Sequence, residues 1–345
     1  MKKNIINKIV LSTISLIMSF TFIACSDWTD TESIDIDSPQ VEHQNPALYK
    51  KYLENLRKYK ESDHKVIYTW LDNENSELAT NHSLRVEILP DSIDYVVFRN
   101  AVNLSDWEKR EMESVKEKKG FKFLAQIDFD DILVEYNQLK EENDGSAPMP
   151  TFIGMLVQQT EDIIVAINKY NYDGLIVGYK GKRTIHMTED EKAEYLKYQT
   201  AFMTIAENWA KNNKDKMIVF AGNPENVLYN FDFISCKHII IRTETLTNAS
   251  AIANEVMHNI IDGVPSDRYV VTANTVSADK TDTKTGYWPN AMKAITGTAD
   301  WIIEDHNNFN VMGIGIYNIS NDYYNSNLTF LTVRTAISTL NPSLK

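Results

Sequence analysis

The sequence predicts an α/β protein built as a single (β/α)8 TIM barrel, and three observations predict it. Eight short β-rich runs recur along the chain, mostly apolar on both faces, as strands covered by helices must be. Longer stretches with helical period separate them, and units alternating in this way build parallel sheets. No linker or low-complexity tract interrupts the order after residue 47, leaving roughly 300 residues where such barrels typically use ~250. The same alternation in an open, doubly wound sheet is the alternative.

The strand runs are KVIYTWL (65–71), DYVVFRN (94–100), FKFLAQIDF (121–129) and YDGLIVGY (172–179), followed by KMIVFAG (216–222), HIIIRTE (238–244), RYVVTANT (268–275) and VMGIGIYN (311–318). Ser105 with Glu108, and Thr188 with Glu191, have the spacing of capping boxes and start two helices. Over 189–213 the three-to-four spacing of Tyr195, Tyr198, Phe202, Ile205 and Trp209 gives one apolar face, with Trp209 in the core. Further helices are predicted at 106–119, 151–169, 248–262, 289–304 and 326–339, with a short one at 225–230 after Pro224. The first crossover, around 76–90, has the least regular helical pattern.

Composition bounds the function. Hydrophobic residues make up 43% and charged residues 24%, a soluble globular mix, and the formal net charge is −13. A negative balance of that size opposes binding of nucleic acid, anionic lipid or heavily sulfated glycan through a broad surface. Neutral ligands remain. Residues 1–24 join a basic start, MKKNIINK, to an apolar stretch too short for a bilayer span, which reads as a secretion signal. FIAC then resembles the lipobox of bacterial lipoproteins, which implies lipidation at Cys25. The acidic stretch SDWTDTESIDIDSPQ, within 25–46, reads as a solvated tether and resembles a surface-export signal, so the domain is placed at 47–345. With Cys25 acylated no disulfide is available, and Cys236, in FISCKHIII, reads as a packed core thiol.

Several motifs can be set aside. GYKGK at 178–182 lacks the spacing of a phosphate loop, and no G-x-G-x-x-G follows the first strand. No H-E-x-x-H and no G-x-S-x-G occurs, and His64, His186 and His306 read as loop or surface residues. The sequence points to no cofactor and no metal.

In such barrels the chemistry sits at the C-terminal ends of the strands. Strand alternation on the fourth run puts Ile176, Gly178 and Lys180 on the barrel side, and Leu175, Val177 and Tyr179 against the helices. The segment NKYNYDGLIVGYK resembles the fourth-strand signature D-G-x-D-x-D-x-E of glycoside hydrolase family 18, the chitinase and endo-β-N-acetylglucosaminidase family. It matches at Asp173 and Gly174, and has aromatics at Tyr172 and Tyr179. The signature's later acids are replaced by Ile176, Gly178 and, at the terminal Glu, Lys180. The final strand GIGIYNIS also looks like the family's eighth.

The resemblance implies a substrate-assisted mechanism, in which the sugar's own acetamido oxygen attacks C1. The Glu would protonate the leaving oxygen and the neighbouring Asp would stabilise the acetamido group. A Lys with an ordinary pKa near ~10.4 is a poor acid at neutral pH, and its charge opposes the cation that forms. Gly178 supplies no carboxylate. General acid catalysis alone contributes roughly 10²–10⁴-fold, so the substitutions predict a barrel without hydrolysis. Asp72, Gln126, Asp128, Glu244 and Asp322 lie at or near strand ends. Among them Asp128 and Glu244 are the candidate relocated acids, each otherwise a partner for Lys180 or Arg242.

A groove without catalytic acids still binds sugar through aromatic platforms and polar groups. The candidate binding residues are Trp70, Asn100, Gln126, Lys180, Arg242, Asn274, Trp288 and Tyr317, with Arg99, Asn223 and Asn318 on the rim and Tyr323 and Tyr324 beyond. Trp288, in the polar loop SADKTDTKTGYWPN, is the aromatic predicted to be exposed. The expected protein is a lipid-anchored outer-membrane protein at the cell surface that holds N-acetylglucosamine-containing oligosaccharide or N-glycan, within a glycan-uptake complex. An active endo-β-N-acetylglucosaminidase with a relocated acid, and a scaffold with no sugar site, are the alternatives.

Overall fold

The computed structural model describes residues 41–73, 81–145 and 148–342. The expected signal, Cys25 and most of the expected tether lie outside these residues. The described residues fall into two units, one ending at Lys51 and the other beginning at Tyr52. In the first, a helical turn at Val41–Gln44 precedes the start of helix α1 (Pro46–Glu61), where the tether reading expects irregular chain. The start is locally encoded. Asn45 Oδ1 accepts the Leu48 N–H at 3.0 Å, and Pro46 follows the cap at a position where its missing N–H costs nothing.

The second unit is a closed barrel of eight parallel strands in chain order: β1 (Val66–Leu71), β2 (Tyr95–Phe98), β3 (Lys122–Asp128), β4 (Gly174–Tyr179), β5 (Met217–Gly222), β6 (Ile239–Ile241), β7 (Tyr269–Asn274) and β8 (Val311–Tyr317). All eight predicted runs are strands. Covering helices are α2 (Asp106–Lys119), α3 (Phe129–Glu142), α4 (Phe152–Lys169), α5 (Glu189–Asn212), α6 (Ala249–His258), α7 (Ala294–Ile302) and α8 (Leu331–Leu340). Both capping boxes form, Ser105 with Glu108 and Thr188 with Glu191, each satisfying two orphan N–H groups.

Three predicted details differ. In place of a helix across 76–90 there are two 3₁₀ turns, His82–Leu84 and Val86–Ile88, with 74–80 outside the described residues. The β-branched Val86 and Ile88, with Pro90 close behind, leave too short a run for an α-helix. The turn after Pro224 is a single 3₁₀ turn, Pro224–Asn226. Helix α3 is absent from the sequence reading because β3 runs into it with no loop. Asp128 both ends the strand and caps the helix, its Oδ1 accepting the N–H of Asp130 at 3.0 Å and of Asp131 at 3.4 Å.

The strand alternation sorts the core into two layers. Ile176 lies inside the barrel with Tyr68, Trp70, Tyr95, Val97, Leu124, Val219, Ala221, Ile240 and Val270. Leu175, Val177 and Tyr179 face outward into the core under the helices, which also holds Trp209 and Cys236. Burial pushes the Cys236 thiol pKa well up, consistent with a packed, unreactive thiol. Lower in the barrel Tyr68 stacks on Tyr95 (4.3 Å between rings) and pairs through its hydroxyl with His238 Nδ1 at 2.7 Å. Burial lowers the His238 pKa to about 3, so the imidazole is neutral.

Candidate functional site

A cavity of about 500 Å³ opens where the strands end. Its walls are Trp70 on β1, Arg99 and Asn100 after β2, and Gln126 and Asp128 on β3. Asp131 and Glu135 on α3, Gln159 and Asp162 on α4, Arg242 and Glu244 after β6, Asn274 on β7, and Tyr317 and Asn318 at the end of β8 complete it. Six of the eight predicted binding residues therefore converge: Trp70, Asn100, Gln126, Arg242, Asn274 and Tyr317. Lys180 and Trp288 are not in its wall.

The floor is a continuous polar chain. Trp70 lies against Tyr317, ring centres 4.2 Å apart and 19° from parallel, and donates its indole N–H to Gln126 Oε1 at 2.6 Å. Gln126 Nε2 donates to Asp128 Oδ2 at 3.2 Å, and Arg242 reaches across from beyond β6 to the same oxygen. With Oδ1 capping α3, both oxygens of Asp128 act as acceptors, which leaves no proton for it to deliver without breaking this network. Arg242 is held by the ion pair, and its Nε–H is buried with no partner among the described residues. On the far wall Asn318 donates to Asn274 Oδ1 (3.0 Å), and Asn274 donates to the Glu244 carbonyl (3.2 Å). Glu244 Oε2 accepts from the Thr272 hydroxyl at 2.6 Å. The predicted Asp128–Arg242 pair forms, whereas Glu244 pairs with neither Arg242 nor Lys180.

The fourth strand divides into a half with fold roles and a half without acids. Asp173 sits at the opposite end of the barrel from the cavity, where its carboxylate accepts the Phe123 N–H (2.8 Å) and pairs with Lys116 (2.9 Å). Gly174 lies so close to the Met217 carbonyl that a Cβ would overlap it. These two residues serve strand pairing whatever the chemistry. At the other end, Gly178 is directly opposite Asp128 in the β3–β4 register, and a Cβ there would overlap the Asp128 carboxylate and crowd Arg242. The space for a side chain at 178 is already filled.

Lys180 corrects the prediction that it shares the barrel side with Ile176 and Gly178. The strand ends at Tyr179, and the exposed Lys180 lies past the point where pleating fixes direction. Its backbone N–H donates to Asp130 Oδ2 at 2.6 Å and the next N–H, of Gly181, donates to Oδ1 at 3.0 Å, fixing the turn. Trp288 is a second correction. It is half-buried, packed against the helix-side core with its ring over Gly297 of α7, because the loop after β7 folds back instead of projecting. Asn223 is buried and donates to Glu255, and Asp322 is buried and accepts the Val333 N–H at 2.9 Å at the start of α8; neither lines the cavity.

The residues the sequence reading missed, Asp131, Glu135, Gln159 and Asp162, come from the unpredicted α3 and its neighbour α4. Desolvation raises the Asp131 carboxyl above its ordinary value, partly offset by Arg99. Recognising Asp128 as an N-cap was the available signal. Among the described residues no group of three or more His, Cys, Asp or Glu is placed to hold a metal ion.

Residues 29–339 match the family model described as glycoside hydrolase family 18, BT1044-like. Similar solved structures include a selenomethionine glutamate-to-glutamine variant of BT1044, 19% identical, covering 88% of this chain and 96% of that chain with a TM-score of 0.60. An endo-β-N-acetylglucosaminidase from Cordyceps militaris is 14% identical, covers 85% of this chain and 96% of that chain, and has a TM-score of 0.61. A double mutant of the Cordyceps militaris enzyme, in complex with fucosyl-N-acetylglucosamine-Asn, is 14% identical over 84% of this chain and 95% of that chain, TM-score 0.59. No curated protein matches the chain.

Proposed function

The chain belongs to glycoside hydrolase family 18, BT1044-like, and on that premise we propose that it binds an N-acetylglucosamine-containing oligosaccharide without cleaving it. One observation carries the reading: at the β4 end, the carboxylate positions are Gly178, whose side-chain space is filled by the Asp128–Arg242 pair, and Lys180, which lies outside the cavity wall. The cavity suits a neutral sugar. Its volume is within the ~300–1,000 Å³ usual for ligand pockets, and carboxylates and amides on opposite walls offer acceptors and donors to hydroxyl groups. The Trp70–Tyr317 stack adds an apolar surface. The Cordyceps militaris complex, with its fucosylated N-acetylglucosamine, supports the choice of sugar class. Lipidation at Cys25 and a place at the outer cell surface, beside partners in glycan uptake, complete the proposal.

Glu244 favours a second reading, hydrolysis with a relocated acid. It lines the cavity, and of its two carboxylate oxygens only Oε2 accepts a hydrogen bond among the described residues. A panel of N-glycans and chitin-type oligosaccharides, scored for both retention and release of product, separates the two. Retention without product supports the binding reading, and product lost in Glu244→Gln supports the second. Neither retention nor product from any glycan overturns both.

A further inference from the structure

A second cavity, of about 490 Å³, lies at the other end of the barrel unit. It is formed by the last turns of α5, the chain leading into β5 and β6, and Arg268 immediately before β7. In a protein of net charge −13, five cations border it: Lys211, Lys214, Lys216, Lys237 and Arg268. The two acids there, Glu207 and Asp232, are already engaged. Glu207 accepts the Asp232 N–H (2.8 Å) and the Tyr229 hydroxyl (3.2 Å) and pairs with Lys211 (3.6 Å); Asp232 accepts from the Ser235 N–H and hydroxyl.

The cations divide into anchored and free. Lys216 donates to Asn171 Oδ1 (2.9 Å) and the Tyr172 carbonyl (2.7 Å), and Arg268 is held by Asp267 and by the Ile234 and Cys236 carbonyls. Lys214 and Lys237 have neither an ion pair nor a hydrogen bond from their ammonium groups among the described residues. The negative end of the α5 dipole accounts for Lys211 and Lys214, but not for Lys237 and Arg268, which lie in the segments leading into β6 and β7. Ala210, Met217 and Ile218 give the same cavity an apolar wall.

We infer that this basal cavity binds a phosphate-bearing organic group, its oxygens between Lys214 and Lys237 within reach of Lys216 and Arg268, and its carbon skeleton against the apolar wall. A phosphomonoester carries nearly two negative charges at neutral pH and three acceptor oxygens, which suits two unpaired ammonium groups beside two pre-positioned donors. The group has two possible sources, a soluble phosphate compound or a lipid headgroup, and the experiment distinguishes them.

The full chain is titrated with inorganic pyrophosphate by calorimetry, and floated with vesicles of phosphatidylglycerol or of phosphatidylcholine. Each assay is repeated with Lys214→Ala/Lys237→Ala. Saturable pyrophosphate binding that weakens with salt, and falls roughly tenfold in the variant, supports a soluble phosphate ligand. A preference for phosphatidylglycerol that is lost in the variant supports a headgroup; comparing the two lipids with the same chain removes any contribution of an anchor. Absence of both responses, or persistence in the variant of every response that the native chain shows, overturns the inference.

Discussion

The mouth cavity and the basal cavity are nearly equal in volume, about 500 and 490 Å³, and opposite in charge. The mouth gathers Asp128, Asp131, Glu135, Asp162 and Glu244 around Arg99 and Arg242; the base gathers five cations around Glu207 and Asp232. The more telling difference lies in what the charges touch. In the mouth the central cation, Arg242, is fixed in a nearly buried pair that also caps α3 and fills the space beside Gly178. At the base Lys214 and Lys237 are exposed and hold nothing in place. A paired, buried charge maintains architecture; an unpaired, solvated one is available to a ligand.

The largest effect should come from breaking the pair in the mouth. Asp128→Ala leaves Arg242 buried and unpartnered and uncaps α3, so unfolding free energy should fall by about 3–5 kcal/mol from the lost pair and by ~1 kcal/mol from the lost cap. Urea unfolding reads this directly, and an unchanged midpoint would show the pair to be ornamental. Next, Gly178→Ala should cost about 1–3 kcal/mol by overpacking. In the Asp128→Ala background that cost should shrink, because the clashing carboxylate is gone; strict additivity in the double-mutant cycle would refute the shared-space account.

A smaller effect belongs to His64, which precedes β1 at the basal end. Burial alone would lower its pKa, but the hydrogen bond to Asp94 (3.0 Å) and that residue's charge raise it above the ordinary 6.5. A raised folded-state value means its stabilisation is complete below about pH 6.5 and fades as pH rises through the folded-state pKa. Stability should therefore decline from pH 6 to pH 8, and His64→Gln should flatten that slope. The smallest effect should be that of Lys214→Ala/Lys237→Ala on stability, within ~0.5 kcal/mol for each exposed position. A larger loss would mean that the basal lysines maintain architecture after all, and would erase the contrast with the mouth.

The eight strands were legible because runs apolar on both faces have few other solutions, and two helix starts because Ser105 and Thr188 carry their caps locally. Convergence of Trp70, Gln126, Arg242 and Tyr317 followed from their places at strand ends. Helix α3 had a single local signal, and that signal was masked. The helix's cap is a strand residue, and with it went Asp131 and Glu135. The direction of Lys180 was not legible, since pleating stops informing a side chain one residue past the strand, nor was the burial of Trp288, since a polar loop can fold back on a helix.

By itself the sequence determined the barrel, through the period of its apolar residues, and the absence of acids at positions 176, 178 and 180, through their identity. Only the tertiary structure decided why position 178 must remain glycine, which charges are paired, and which are left free. Those answers depend on the side chains of Asp128 on β3 and Arg242 just after β6 meeting beside Gly178 on β4, and two residues 114 positions apart in the chain carry no local signal that foretells which of them will fill that volume.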